Sequence, residues 1–323
     1  MPATAIAHPN FALIKYWGKR DPGKNLPAVG SLSVTLGALR TETTVDFDAG
    51  LSADTLVLNG HEKPEEQPRL TACLDVLRAL TGERRRARVM SCNDFPTGAG
   101  LASSASGYAA LVTAAAGALG IAAGDQRLFE AARIGSGSAP RSLFGGIVML
   151  RIEGGHVVCE PLLAASEWPL RVTVAVTTEA AKEVSSRDGM EQSRLTSPFY
   201  EAWLNTHPAQ LGQALTSVKE RDFAGLAEIA EHNCLNMHSV MLTTRPPLMY
   251  WSPTTLACMQ AIHEMRVGGL PVFYTVDAGP QVKAIHLPEA AAQVDARLAA
   301  IPGVVRLISG GLGEGAQLLG GDA

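Results

Sequence analysis

Four short segments of the sequence carry residues of the types that bind and transfer phosphate. Phe11 to Asp21 (FALIKYWGKRD) passes abruptly from an apolar, strand-like run to Lys15, Lys19 and Arg20, with Tyr16 and Trp17 between them. Cations beside aromatic rings either hold an anionic ligand or lay their stems over apolar surface. Pro96 to Gly107 (PTGAGLASSASG) combines glycines with Ser103 and Ser104 ahead of an Ala-rich stretch. Small residues admit close backbone approach, and N–H groups at a helix start donate to phosphate oxygens. The alternative is a plain Gly-rich turn running into a tightly packed helix. Gly135 to Ser142 (GSGSAPRS) gathers three hydroxyls with Arg141, whose planar fork matches carboxylate and phosphate geometry. Val276 to Gln281 (VDAGPQ) sets Asp277 between an apolar strand and a Gly-Pro turn, as a turn-former or as a general base facing a pocket.

Other common signatures are missing. Neither Gly18-Lys19 nor Gly23-Lys24 is followed by Ser or Thr, so there is no Walker A loop, and no HExxH, GxSxG or Rossmann fingerprint occurs. Cys73, Cys92, Cys159, Cys234 and Cys258 are scattered without a CxxC pair, which suggests buried thiols rather than a zinc site or a disulfide framework.

The elements that must position these residues are legible in outline. Alternation marks strands at Leu32 to Leu36, Thr41 to Phe47 and Thr55 to Leu58, the last running into the hairpin signal Asn59-Gly60. A helix fits Pro68 to Leu80, stopped by Gly82, and a strand fits Arg86 to Cys92. The basic run Arg84, Arg85, Arg86 and Arg88 reads as a solvated loop and strand end rather than an anion site. A helix near Gln126 to Ile134 and a strand at Ile147 to Ile152 follow. A second unit begins near Pro169, with a strand around Val172 to Val176, helices near Pro208 to Cys234 and Thr254 to Val267, strands at Val272 to Val276 and Val304 to Ile308, and a helix at Pro288 to Ala300 between those strands. The expected class is α+β or α/β in two layers.

The 323 residues, 46% hydrophobic and 18% charged, suffice for one large or two ordinary domains with a real core. A net charge of -4 argues against a general nucleic-acid binder. Phe95 to Gly124 holds no charge and is long enough to span a bilayer, but it is mostly Ala, Gly, Ser and Thr, which transfer scales do not reward. With no signal-peptide pattern at the N-terminus, a cytoplasmic protein is expected.

Taken together and in this order, the segments resemble the mevalonate diphosphate decarboxylase family of the GHMP kinase superfamily. IKYWGKRD reads from Ile14 to Asp21, NxFPTxAGLASSA from Asn93 to Ala105, GSGSAxRSLxGG from Gly135 to Gly146 and VSSxxGM from Val184 to Met190, while FDAGP appears as Val276 to Pro280 with Val for Phe. The resemblance runs from about Ala5 to Ala316. It implies an α+β GHMP kinase fold with an N-terminal α/β domain like domain 2 of ribosomal protein S5 (1–168), which binds ATP, and a C-terminal ferredoxin-like domain (169–323). The site would lie in the cleft between them. The implied reaction phosphorylates the 3-hydroxyl of mevalonate 5-diphosphate with ATP, then releases phosphate and carbon dioxide to leave isopentenyl diphosphate.

The same resemblance implies roles for matched residues. Asp277 would act as base or orienting group at the 3-hydroxyl, Lys15 would neutralise charge beside it, and Arg141 would pair with the substrate carboxylate or developing phosphate. Tyr16, Lys19, Ser136, Ser138, Ser186 and Met190 would line the substrate and hold its diphosphate. Asn93, Pro96, Gly98, Gly100, Leu101, Ala102, Ser103, Ser104 and Ala105 would form the ATP site, with Ser104 a ligand for Mg2+. A homodimer without nucleic-acid or membrane partners is expected. Three departures from the family pattern stand near the site: Ala28, Val29 and Gly30 replace a polar run, Pro140 replaces a common Cys, and APxN is rearranged as Ala7-His8-Pro9-Asn10. Relatives of this reaction include decarboxylation of the 5-monophosphate and 3-phosphorylation without decarboxylation. A binding protein without catalysis is a further alternative, which the presence of Lys15, Arg141 and Asp277 opposes.

Overall fold

The structure, a computed structural model, describes residues 1–97, 100–180 and 182–320. Alternation, turn chemistry and capping act as expected in its first part. Thr41–Asp48 buries every second residue, and Asn59 and Gly60 take the positive φ angles (50° and 80°) that close a tight hairpin between Thr55–Leu58 and His61–Glu62. Gly82, at φ 71°, caps the helix Gln67–Thr81, whose Leu70, Cys73, Leu74 and Leu77 are buried.

Strands form three main sheets. A six-stranded sheet runs Gln317–Leu319, Ala3–Ala7, Thr41–Asp48, Arg86–Asn93, Thr55–Leu58, His61–Glu62, and a four-stranded sheet runs His156–Leu163, Ile147–Glu153, Ser31–Thr35, Asn10–Ile14. A second four-stranded sheet, Val272–Val276, Val282–His286, Arg171–Val176, Arg306–Gly311, is antiparallel throughout. The uncharged stretch yields the helix Ser103–Leu119, whose Ala109, Ala110, Ala114 and Ala115 are fully buried. Among the described residues no helix is long and apolar enough to cross a membrane.

One core joins the sequence halves: Phe11, Leu13, Leu32 and Val34 pack in the same cluster as Trp168, Val172, Val174, Ala214 and Phe273. Several features differ from the sequence reading: His156–Leu163 and Val282–His286 are additional strands, and Cys92, expected among buried thiols, is exposed on the strand Arg86–Asn93. The region around Pro208 to Cys234 is two helices, Tyr200–Glu220 and Phe223–Leu242. Arg221 separates them in the left-handed region at φ 55°, and Asp222 caps the second by accepting from Gly225 N at 3.0 Å. A helix at Ser186–Thr196 starts within the VSSxxGM segment, with Ser185 accepting from Asp188 N. The strand Gln317–Leu319 returns to pair with Ala3–Ala7.

Candidate functional site

A cleft of about 710 Å³ opens where the four segments meet. Its lining includes Lys15, Tyr16, Lys19, Gly100, Ala102, Ser103, Ser104, Ser136, Ser138, Arg141, Ser186, Met190 and Asp277, thirteen of the residues expected from sequence. Among the other expected residues, Leu101 and Ala105 are turned into the core, and Pro96 lies outside the cleft lining. Asn93 lines a smaller neighbouring cavity, where it accepts from Thr41 Oγ1 at 2.6 Å and donates to Thr97 Oγ1 at 2.8 Å. Gly98 lies outside the described residues.

The strand Val272–Val276 is wholly buried, and the chain turns immediately after it, presenting Asp277 to the cleft. Lys15, which follows Asn10–Ile14 and is 1% exposed, donates from Nζ to Asp277 Oδ1 at 2.6 Å, while its backbone N–H donates to Asn233 Oδ1. Lys283 Nζ stands 3.2 Å from Asp277 Oδ2. Burial alone would raise the Asp277 pKa, but Lys15 and Lys283 outweigh it and hold the carboxyl well below the usual carboxylate range.

Arg141 sits in the short 3-10 turn Ala139–Leu143, buried and fixed by Asn10 Oδ1 on Nε at 2.9 Å and Ser31 Oγ on Nη1 at 2.6 Å. Asn10 is itself oriented by donating to Ser142 Oγ and to the Ser138 carbonyl. The guanidinium is thereby aimed, with two of its five N–H groups engaged by hydrogen bonds among the described residues. Next to it the Tyr16 hydroxyl is buried with no hydrogen-bond partner among the described residues. Burial pushes the Tyr16 phenol up to about 12 against the pull of Arg141, Arg187 and Arg133, so it remains a neutral donor. A side chain on Gly137 would collide with that hydroxyl, which explains the glycine between Ser136 and Ser138.

The helix Ser103–Leu119 begins at the cleft with no side-chain cap, and Ala102 precedes it in the left-handed region at φ 57°. Ser104, Ser136 and Ser138 form a chain of hydroxyls at 3.2 and 3.3 Å. Lys19 and Lys182 are both lowered to about 8 by burial, with Arg187 adding to the effect at Lys19 and Asp277 opposing it at Lys182. Lys182 donates to Ser186 Oγ at 2.7 Å and to the Ala278 carbonyl at 2.9 Å.

Sequence reasoning missed Asn10, Ser31, Lys182, Arg187 and Lys283. Arg187 lies inside the VSSxxGM segment and Lys182 just before it, so both were within reach. Lys283 had a signal too, being a charge inside the apolar run VKAIH. The Ala28, Val29 and Gly30 departures do not line the cleft. Val29 packs with Trp17, Tyr200 and Trp203, and a side chain on Gly30 would press Leu211 at 2.7 Å.

The smaller cavity, about 220 Å³, is walled by Leu56, Leu58, Leu70, Val89, Tyr108 and Leu111. It shares Glu65, Glu66, Arg69, Thr97, Ser103 and Ser104 with the cleft. Among the described residues no group of three or more His, Cys, Asp or Glu is placed to hold a metal ion.

Residues 7–156 match the family model described as a diphosphomevalonate decarboxylase-like N-terminal domain, and residues 172–302 that of the mevalonate 5-diphosphate decarboxylase C-terminal domain. The chain is 37% identical to diphosphomevalonate decarboxylase mvd1 of Aspergillus fumigatus, over 93% of this chain and 80% of that one. It is 37% identical to diphosphomevalonate decarboxylase of Homo sapiens, over 90% and 78%. Among solved structures, mevalonate diphosphate decarboxylase from Staphylococcus aureus superposes with a TM-score of 0.91 at 35% identity, covering 98% of both chains. The structure described as "MDDEF in complex with MVAPP, AMPPCP and Magnesium" gives 0.89 at 39% identity, covering 99% of both.

Proposed function

The chain belongs to the diphosphomevalonate decarboxylase family and has its α+β GHMP kinase fold; on that premise we propose that it converts mevalonate 5-diphosphate and ATP to isopentenyl diphosphate, ADP, phosphate and carbon dioxide. The observation that carries the reading is the Lys15–Asp277 pair, 2.6 Å apart, in a cleft where Arg141, Lys19 and the Ser136 and Ser138 hydroxyls converge. A saturated 3-hydroxy acid has no electron sink for decarboxylation. Moving the γ-phosphoryl of ATP onto the 3-oxygen expels ADP, passes the hydroxyl proton by way of the Asp277 carboxylate to solvent, and creates a leaving group. The electrons of the broken bond to the carboxylate carbon then form the double bond as phosphate departs.

The side chains divide this work by charge and reach. Asp277, kept ionised by two lysines, accepts a hydrogen bond from the 3-hydroxyl and orients it, and Lys15 stabilises charge as the phosphoryl group transfers. Arg141, aimed by Asn10 and Ser31, receives the substrate carboxylate, while Tyr16, Lys19, Ser136, Ser138, Ser186 and Met190 hold the remainder with its diphosphate. The nucleoside occupies the apolar smaller cavity beside Asn93, and its phosphates pass Ser103 and Ser104 into the cleft. The described residues hold no acidic metal cluster, so Mg2+ would arrive with the phosphates, with the Ser104 hydroxyl as one ligand. When bound, Mg2+ would supply charge neutralisation for the phosphates. The reading places the enzyme in the cytoplasm as a homodimer, with an N-terminal ATP-binding unit to residue 168 and a second unit after it.

One assay tests this. Purified protein with Mg2+ and ATP is given mevalonate 5-diphosphate, its 5-monophosphate or plain mevalonate, and ADP and carbon dioxide are both followed. The diphosphate should give equal amounts of each. ADP without carbon dioxide would reduce the protein to a kinase, and preference for the monophosphate would reassign the substrate.

A further inference from the structure

Lys283 is buried completely, on the strand Val282–His286, where all five residues are buried and the strand pairs on both sides. Such a position ordinarily takes a Val or Ile, because an ammonium there loses its hydration and must recover it from fixed partners. Its ammonium has two oxygen partners and one aromatic face. Nζ lies 3.2 Å from Asp277 Oδ2, donates to the Gly100 carbonyl at 3.1 Å and stands 4.8 Å over the Phe11 ring. Lys283 is not part of the cleft lining, whereas both Asp277 and Gly100 are. It therefore joins the acid to the phosphate-loop segment from behind.

The backbone makes the same connection. Gly100, at φ 81°, packs so closely on the turn after Asp277 that an added Cβ would sit 3.3 Å from Gly279 Cα, and one on Gly279 would sit 3.1 Å from Gly100 Cα. Two segments remote in sequence are thus in direct backbone contact, and the Lys283 ammonium bridges them one layer deeper. A counter-ion for Asp277 alone would not need the Gly100 carbonyl, since Lys15 already supplies a charge on the other oxygen.

We propose that Lys283 is a positioning residue for phosphoryl transfer, one that ties the Asp277 carboxylate to the phosphate loop at Gly100 and keeps nucleotide and acceptor hydroxyl in register. This rests on the phosphoryl-transfer reading above; Lys283 is outside the cleft lining and acts through Asp277 and Gly100. Lys283 holds the loop backbone at Gly100 directly but reaches the substrate only through the Asp277 carboxylate, so its loss should weaken nucleotide binding more than substrate binding. A residue that only filled the core would weaken both alike.

The test compares K283M and K283Q with the wild-type chain by titration with a fluorescent ATP analogue and by steady-state kinetics. Losing a charge-assisted bond at the loop should weaken analogue binding in K283M about tenfold and lower kcat about 100-fold, with KM for mevalonate 5-diphosphate held within about threefold. K283Q, which can still donate to the Gly100 carbonyl but carries no charge, should recover most of the analogue affinity and little of the kcat. Analogue binding in K283M within about twofold of wild type, a parallel rise in both KM values, or no recovery in K283Q would each overturn the link. Failure of both variants to fold, judged by circular dichroism and melting, would assign Lys283 to the core alone. If the wild-type chain were inactive on the diphosphate while the titrations behaved as expected, the substrate assignment would fail and the loop link would stand.

Discussion

Asp277→Ala removes the carboxylate that two buried ammonium groups share. Lys15 and Lys283 are 1% and 0% exposed and lie 2.6 and 3.2 Å from its oxygens. Stripping the partner from a buried ion pair costs about 3–5 kcal/mol. Because Asp277 itself is 27% exposed to the cleft, water can enter at its position, so the lower end, about 3 kcal/mol, is expected. Burial already holds Lys283 below its ordinary value, and Asp277 opposes that shift. Without the opposition its folded-state pKa falls further below the unfolded value near 10.4, so the unfolded chain binds more protons across that window and stability rises with pH up to about 10. The variant should therefore melt lower than wild type at pH 7 and regain part of the gap by pH 9 to 10. Turnover should drop by roughly 10³-fold, within the range for a lost acid-base or orienting group, while nucleotide binding stays nearly unchanged. Melting curves at four or five pH values and coupled ADP release check both halves. A turnover loss under about tenfold would remove Asp277 from the centre of the reaction, and a melting gap independent of pH would refute the shared-carboxylate account.

Arg141→Lys should lower kcat/KM about 10–100-fold, because a point charge cannot hold Asn10 and Ser31 while offering a fork to the ligand; near-normal kinetics would defeat the aimed-guanidinium reading. Lys19 sits at about 8, so kcat/KM for the diphosphate substrate should fall as pH rises through 8, and Lys19→Arg, which stays charged, should flatten part of that fall. Burial lowers His207 to about 4 and His238 to about 3; each donates from Nε2 to a carbonyl, Gly30 and Val276 respectively. Their folded pKa values lie below the unfolded value near 6.5, so their contribution is complete above that pH and is lost as pH falls toward 4 and 3. Urea unfolding between pH 7 and 4 should show this slope, and a double His→Gln variant that kept the full slope would count against it.

Much of the site was legible because its signals are local. Asn59-Gly60 and Gly82 specify backbone geometry within a few residues, and the Gly/Ser segments specify close backbone approach wherever they end up. The uncharged stretch that was long enough for a bilayer declared itself by composition as a packed helix of small residues. The family resemblance carried by the five motifs then implied the chemistry. Pairings across the chain were not legible in the same way. Lys15 meets Asp277 over 262 positions and Arg141 meets Asn10 over 131, and no local pattern encodes which partner a cation will find. Lys283 shows the limit most clearly. In the sequence it is a charge interrupting a short apolar run, and only the folded sheet, by making that run a strand behind both Asp277 and Gly100, gives the ammonium two oxygens to hold. The sequence by itself determined which groups are available and which backbone shapes present them. Tertiary structure decided which of them share a proton, a charge or an oxygen, because hydrogen bonds need close aligned contact, charge pairs weaken with distance, and both depend on packing that spans the whole chain.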